Sequence, residues 1–178
     1  MASSAPASTL DVRRVLSLAD TELEALADVL IDCVEGGASV SFMLPMTRAK
    51  ALAFWRKVAD GAVRGERALL VAEDAQGIVG TVQVILEQPE NQPHRADVAK
   101  MLVHRRARRQ GAGAALMRAA EREALAEGKT LLVLDTADDT AARLYSRLGW
   151  QAAGTIPRYA LLPAGGECAT TYFYRSLT

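Results

Sequence analysis

Between Val103 and Gly113 the chain reads VHRRARRQGAG. Four arginines (Arg105, Arg106, Arg108 and Arg109) stand within five positions, and Gly111 and Gly113 open a segment of helical periodicity. The first turn of a helix carries unpaired backbone N–H groups and the positive end of the helix dipole. Glycines there let a phosphate approach the backbone without Cβ clashes. Arg108–Gly113 is therefore predicted to be an anion-binding turn at a helix start, built to hold a phosphorylated cofactor. A solvated basic loop would carry the same arginines. It would have no reason to place glycines at a helix entry directly after a buried-type strand.

Three anion-binding designs compete for this turn. A Walker A loop requires Gly-Lys-Ser/Thr, which is absent here. A dinucleotide-binding fold would use Gly111-x-Gly113-x-x-Leu116, with Asp135 at the end of the next strand. Leu116 stands where its third glycine belongs, and the motif leaves only a short chain for the rest of a parallel sheet. The third design fits better. Arg108-x-x-Gly111-x-Gly113 resembles the Gln/Arg-x-x-Gly-x-Gly/Ala motif of the GNAT superfamily of acyl-CoA N-acyltransferases. Ala141-x-x-Leu144-Tyr145-x-x-x-Gly149-Trp150 resembles that superfamily's second motif. From about Gly36 to Leu177 the chain also resembles the tabtoxin-resistance family of these enzymes, which acetylates the amino group of a small amino-acid-like antibiotic. The residues that carry this likeness are Gly36-Gly37-Ala38-Ser39-Val40, Ala96-Asp97-Val98-x-Lys100, Leu134-Asp135-Thr136 and Pro157-Arg158-Tyr159.

The resemblance implies acetyl-CoA as donor and direct transfer to an amine in a ternary complex. It implies that Arg108, Arg109, Gln110, Gly111, Ala112, Gly113 and Ala114 hold the pyrophosphate, mainly through backbone amides. It assigns the pantetheine arm to the backbone of Met101, Leu102 and Val103, with the Val103 amide polarising the acetyl carbonyl. Asp138 stands where an asparagine commonly contacts that arm. Tyr145 matches the acid that protonates the departing thiolate, and a phenol pKa of about 10 suits the task. An alkyl amine is mostly protonated at neutral pH and cannot attack until it loses a proton. Asp97 and Asp135 are the candidate bases and could also bind the substrate ammonium. Asp135 ends an apolar strand, where partial burial would strengthen it as a base. Which of the two acts as base stays open. Acceptor specificity is expected in Gly36–Phe42, with Ser39 and Phe42 contacting the substrate and Ser41 offering a further hydroxyl.

These residues need a frame that brings them together. Asp11–Val15 reads as a first strand. Thr21-x-x-Glu24 suggests a capping box for a helix carrying Leu23, Leu26, Ala27, Leu30 and Val34, stopped at Gly36-Gly37. Thr47 can cap a second helix, ended by Gly61 and Gly65. Ala68–Glu73 and Ile78–Leu86 form a hairpin around Asp74–Gly77. Gln88–Arg95 is a loop, Ala96–His104 a strand and Gly111–Glu127 a helix. Leu131–Asp135 is a continuous apolar run, as in a strand buried on both faces. Thr140–Leu148 is a short helix, and Gln151–Leu177 gives two strands around Pro163–Gly166. An antiparallel meander, then β-α-β-α, then a hairpin makes a mixed α/β (α+β) single domain over 10–178. The resemblance adds a centrally splayed sheet flanked by helices. Residues 1–9 are expected to be a disordered tail.

Bulk properties narrow the function. The 178 residues carry 21 basic and 21 acidic side chains, which argues against a general nucleic-acid binder. No apolar run reaches the ~18 residues needed to span a bilayer, and MASSAPAST lacks the apolar core of a secretory signal. A cytoplasmic protein with two reduced cysteines, Cys33 and Cys168, and no bound metal is expected. His94 and His104 are read as structural or solvated, and Trp55 and Trp150 as core. Homodimers are common in the superfamily. A protein or peptide N-acetyltransferase and a non-catalytic CoA-binding regulatory module stay open beside the small-molecule enzyme, for which antibiotic resistance is an expected role.

Overall fold

Each expected segment forms an element, in the expected order. The structure, a computed structural model, describes residues 10–178; the tail 1–9 lies outside the described residues. The elements are β1 (Asp11–Val15), α1 (Asp20–Glu35), α2 (Arg48–Val63), β2 (Arg67–Asp74), β3 (Gly77–Ile85), β4 (Arg95–Val103), a 3-10 turn (Arg105–Ala107), α3 (Ala112–Ala126), β5 (Leu131–Thr136), α4 (Asp139–Arg147), β6 (Gln151–Leu161) and β7 (Glu167–Ser176).

Two helix boundaries differ from expectation for local reasons. α1 begins before the Thr21 box, with Ala19 as its cap residue. Glu22 accepts the Ala19 amide at 2.8 Å and is itself bound by Arg13 at 2.5 Å. Alanine has no side-chain acceptor, so only one half of a capping box forms. In α2, Thr47 caps as expected, taking the Lys50 amide at 3.2 Å. Gly61 does not stop that helix. It lies buried inside it, where a Cβ would stand 2.7 Å from the Arg67 Nε, and the chain turns out at Gly65 with φ +75°.

The strands make one seven-stranded sheet in the order β1-β2-β3-β4-β5-β7-β6. Neighbours are antiparallel except β4 and β5, which run parallel. That parallel ladder holds only at Arg95–Leu131, Ala96–Leu132 and Asp97–Val133. β4 continues to Val103 and β5 to Thr136, so the sheet splays beyond Asp97 and leaves a wedge between them. On one face, Leu26, Leu30, Val34, Trp55 and Val58 of α1 and α2 pack on Leu69, Val71 and Leu102. On the other, Leu116, Met117 and Ala120 of α3 and Tyr145 of α4 pack on Val82, Val98, Leu132, Leu134 and Phe173. Burial of these side chains supplies most of the favourable free energy, at roughly 25 cal/mol per Å² of apolar area.

β5 is not buried on both faces. Leu132 and Leu134 point into the α3 side, whereas Leu131 and Val133 are half-buried and Asp135 is exposed. α1 and α2 pack on β2, β3 and β4, which leaves the same face of β5 and β7 open. An apolar run reads alike whether the second face is covered by a helix or by a ligand.

Candidate active site

The backbone of Arg108–Gly113 forms the expected glycine turn into a helix, and its side chains are used differently. Gly111 takes the left-handed conformation (φ +86°) as cap residue of α3, and the first helical hydrogen bond runs from the Ala115 amide to the Gly111 carbonyl at 3.0 Å. The amides of Ala112, Gly113 and Ala114 thus precede that bond and are free of helical partners. Gly113 lies where a Cβ would meet Leu144 Cδ2 at 3.0 Å, so the glycine also permits close approach of α4. Arg109 enters the turn with φ +62°.

The arginines are not one pool of positive charge. Arg105 donates from its amide and its guanidinium to Asp32 at 2.8 and 2.7 Å. Arg106 pairs with Asp74 at 2.5 Å. Arg108 folds back, its Nε donating to the Val103 carbonyl at 3.3 Å. Gln110 donates to the Arg106 carbonyl at 3.1 Å. Two of the four arginines therefore staple the turn to α1 and to the β2–β3 hairpin. A third clasps the end of β4, and the Arg109 side chain has no ion-pair partner among the described residues.

The Asp32 pair makes the turn acid-sensitive. Burial alone would raise the Asp32 carboxyl, but the hydrogen bonds from the Arg105 amide and guanidinium outweigh it and hold the carboxyl below the usual carboxylate range. A carboxyl lowered in the folded state adds stability above its unfolded value of about 3.9, and that stability is lost as pH falls through the folded value. Asp32→Asn should cost about 1.5–3 kcal/mol at pH 7, read as a drop of about 2–4 °C in Tm per kcal/mol. The gap to wild type should close below about pH 4. A gap that stays constant down to pH 3 would remove the charge from this account.

Beyond the rungs the wedge is lined by the last residues of β4, Met101, Leu102 and Val103, and it opens beside the turn. Asp135 lies on the open sheet face and accepts from Thr170 Oγ1 at 2.7 Å. The partial burial expected of it is absent. Asp97 shares that face of β4 but is already bound by the Arg95 guanidinium and by Gln88 Nε2 at 3.1 Å. The two carboxylates thus share a face and differ in how far they are occupied. Tyr145 sits on the opposite side of the sheet, 5% exposed, against Phe173 and Trp150. Burial, then Asp138 and Asp135, push its phenol well above the ordinary value of about 10. The group stays protonated at neutral pH and is a weaker acid than a free phenol. Asp138 caps α4, accepting the Thr140 amide at 2.7 Å and the Ala141 amide at 3.4 Å, a contact worth about 1 kcal/mol.

The loop after α1 reaches the far end of the cleft. Ser39 Oγ donates to the Leu161 carbonyl at 3.4 Å and accepts from Cys168 Sγ at 3.6 Å. The Leu44 amide donates to the Pro163 carbonyl at 3.0 Å. Phe42 turns its ring onto Phe54, centroids 5.2 Å apart, and anchors the loop there. One residue given no role above now stands in the site. Lys100 occupies a bulge in β4 with φ +51° and donates to Ser41 Oγ at 3.0 Å. The available signal was a lysine in an otherwise alternating strand.

His104 caps the 3-10 turn through Nδ1, which accepts the Arg106 amide at 3.1 Å, so it is structural as read. Trp55 and Trp150 are core. Both cysteines are free thiols. Among the described residues no group of His, Cys, Asp or Glu could hold a metal, and no helix is long and apolar enough to cross a membrane.

A profile of the acetyltransferase (GNAT) domain matches residues 65–152, which run from the start of β2 into β6. The fold is similar to that of an N-acetyltransferase from Staphylococcus aureus Mu50, with TM-score 0.79, 17% identity, and coverage of 96% of this chain and 100% of that one. It is similar to a ribosomal-protein-alanine N-acetyltransferase from Brucella melitensis, at TM-score 0.77, 21% identity, 93% and 99%. It is also similar to a GNAT superfamily phosphinothricin acetyltransferase from Sinorhizobium meliloti solved with AcCoA, at 0.76, 17%, 96% and 89%. The GNAT domain match thus lies on the splayed centre of the sheet, and over nearly its whole length the chain has the fold of GNAT acetyltransferases.

Proposed function

We propose that the protein is an N-acetyltransferase that moves the acetyl group of acetyl-CoA to the primary amine of a small amino-acid-like molecule. Transfer is direct, in a ternary complex. The observation that carries this reading is the wedge between β4 and β5. Unpaired amides of the α3 turn stand at one end of it, and Asp97 and Asp135 stand on the sheet face beside it. In this reading Arg109, Gln110, Gly111, Ala112, Gly113 and Ala114 bind the pyrophosphate. Arg108 supports the turn from behind. Met101, Leu102 and Val103 offer backbone groups to the pantetheine, and Asp138 fixes the start of α4 alongside it. The Sinorhizobium structure, solved with AcCoA, supports the donor.

The acceptor ammonium rests on the open face. Asp135 takes its proton, directly or through water, with Asp97 as the second carboxylate. The freed amine attacks the thioester carbonyl, the Val103 amide steadies the oxygen, and the C–S bond breaks. Tyr145 gives its proton to the departing sulfur and recovers one, through water, from the nitrogen of the new amide. The ties of Ser39 to Leu161 and Cys168, and of Leu44 to Pro163, join the loop to the β6–β7 hairpin and bound the cleft on its far side, which favours a small acceptor over an extended peptide. The resemblance to the tabtoxin-resistance family and the likeness to a phosphinothricin acetyltransferase support an amino-acid-like antibiotic as one such acceptor. A homodimeric, cytoplasmic enzyme completes the reading.

The test is mass spectrometry of the purified protein for bound CoA, followed by an amine panel scored for free thiol. Bound CoA without turnover on any amine would leave a regulatory module, and turnover on peptides alone would leave a protein acetyltransferase. Tyr145→Phe should cut kcat about 100-fold while the Kd for acetyl-CoA stays fixed. Unchanged kcat would remove its role as acid.

A further inference from the structure

Lys100 is placed by an irregularity that a plain structural lysine does not need. Val98 and Met101 both face the α3 core, and two residues, Ala99 and Lys100, lie between them where a regular strand has one. The bulge turns Lys100 onto the open face, with φ +51°, a left-handed conformation unfavourable for a non-glycine residue. The side chain is half-buried, and its ammonium donates to Ser41 Oγ at 3.0 Å. An ammonium has three donors, so two remain unspent. Asp135 acts on Lys100 through space but makes no direct ion pair with it. Asp135 in turn spends Oδ2 on Thr170 and keeps Oδ1 uncommitted among the described residues. A cation and a carboxylate thus face one cleft, neither meeting the other, each with hydrogen-bonding capacity left over.

We propose that Lys100, seated by its bond to Ser41, binds the carboxylate of the acceptor, so that the site takes a zwitterionic amino acid with its ammonium on Asp135 and its carboxylate on Lys100. This rests on the acceptor site assigned above. A carboxylate arriving there supplies the counter-charge that a partly buried ammonium lacks. Burial lowers the Lys100 ammonium more than Asp135 raises it, as expected of a cation awaiting a partner. Ser41 itself sits at φ +77°, so the loop is also held in an uncommon shape where it meets Lys100.

The test uses matched L-amino acids, their methyl esters and their decarboxylated amines with the full-length protein and acetyl-CoA. Wild type should favour the free carboxylate through KM. Lys100→Met should raise KM for the free acids about 10–100-fold, leave KM for esters and amines and the Kd for CoA unchanged, and be partly rescued by Lys100→Arg. An equal loss across all three forms would make Lys100 a structural residue and overturn the proposal. Calorimetric titration of the CoA-loaded protein separates this from the enzymatic reading. Free amino acids binding more tightly than their esters, and only in the presence of Lys100, would uphold the site even without turnover. Binding of neither form, or of both alike, would sink it.

Discussion

Asp135→Asn is expected to lower kcat/KM by about 100- to 10,000-fold without moving the melting temperature or the Kd for acetyl-CoA. The side chain lies on the open face, so its charge does not hold the core together. Asparagine keeps an oxygen for the Thr170 hydroxyl, now bound at 2.7 Å, so the local geometry survives. What goes is the charge that attracts an ammonium and the lone pair that takes its proton. Asp97→Asn should cost much less. Its carboxylate is already held by Arg95 and Gln88, so less of it is left to receive a substrate ammonium. Equal losses in the two variants would mean that the pair acts as a unit, and no loss at Asp135 would remove it as base.

What the sequence disclosed and what it hid divide along sequence separation. The α3 turn was legible because its determinants are local: a left-handed glycine, a second glycine and a helix beyond. The use of its arginines was not. Arg105 is spent on a partner 73 residues back and Arg106 on one 32 residues back, and no periodicity announces such pairs. The carboxylates at 97 and 135 could be named from motifs, but their difference in occupancy depends on Arg95, Gln88 and Thr170, which only the folded sheet brings alongside. The splay itself has no signature in either strand. It follows from three rungs of pairing between strands that each run further. Lys100 was named in a motif but its placement was hidden for a related reason, since a bulge is a relation between two strands and shows only in their register. The same holds for β5, whose apolar run was read as doubly buried although one face opens on the cleft.

Gly113 carries the second large effect, because two requirements meet at one missing Cβ. Its amide belongs to the unpaired set at the start of α3, and its Cα faces Leu144 in α4 and Met101 in β4. A Cβ would lie 3.0 Å from Leu144 Cδ2 and 3.8 Å from the Met101 sulfur. In Gly113→Ala the leucine must yield by a few tenths of an ångström, and the higher helix propensity of alanine, worth about 1 kcal/mol, offsets the strain. In Gly113→Val two further methyl groups press on α4 and on the turn amides. Overpacking of this kind costs about 1–3 kcal/mol, and the Kd for acetyl-CoA should rise more than 100-fold because the amides no longer converge. Gly111→Val separates the two causes. Nothing lies within 4 Å of its Cβ position, so its penalty arises from the φ of +86° rather than from packing. It should therefore weaken CoA binding while leaving the contact of Leu144 with α3 intact. The near-ultraviolet signal of the Tyr145–Trp150 pair next to Leu144 should shift in Gly113→Val and stay constant in Gly111→Val. Wild-type affinity for CoA in Gly113→Val would mean that the cofactor does not meet this turn, and the assignment of the α3 amides would fall with it.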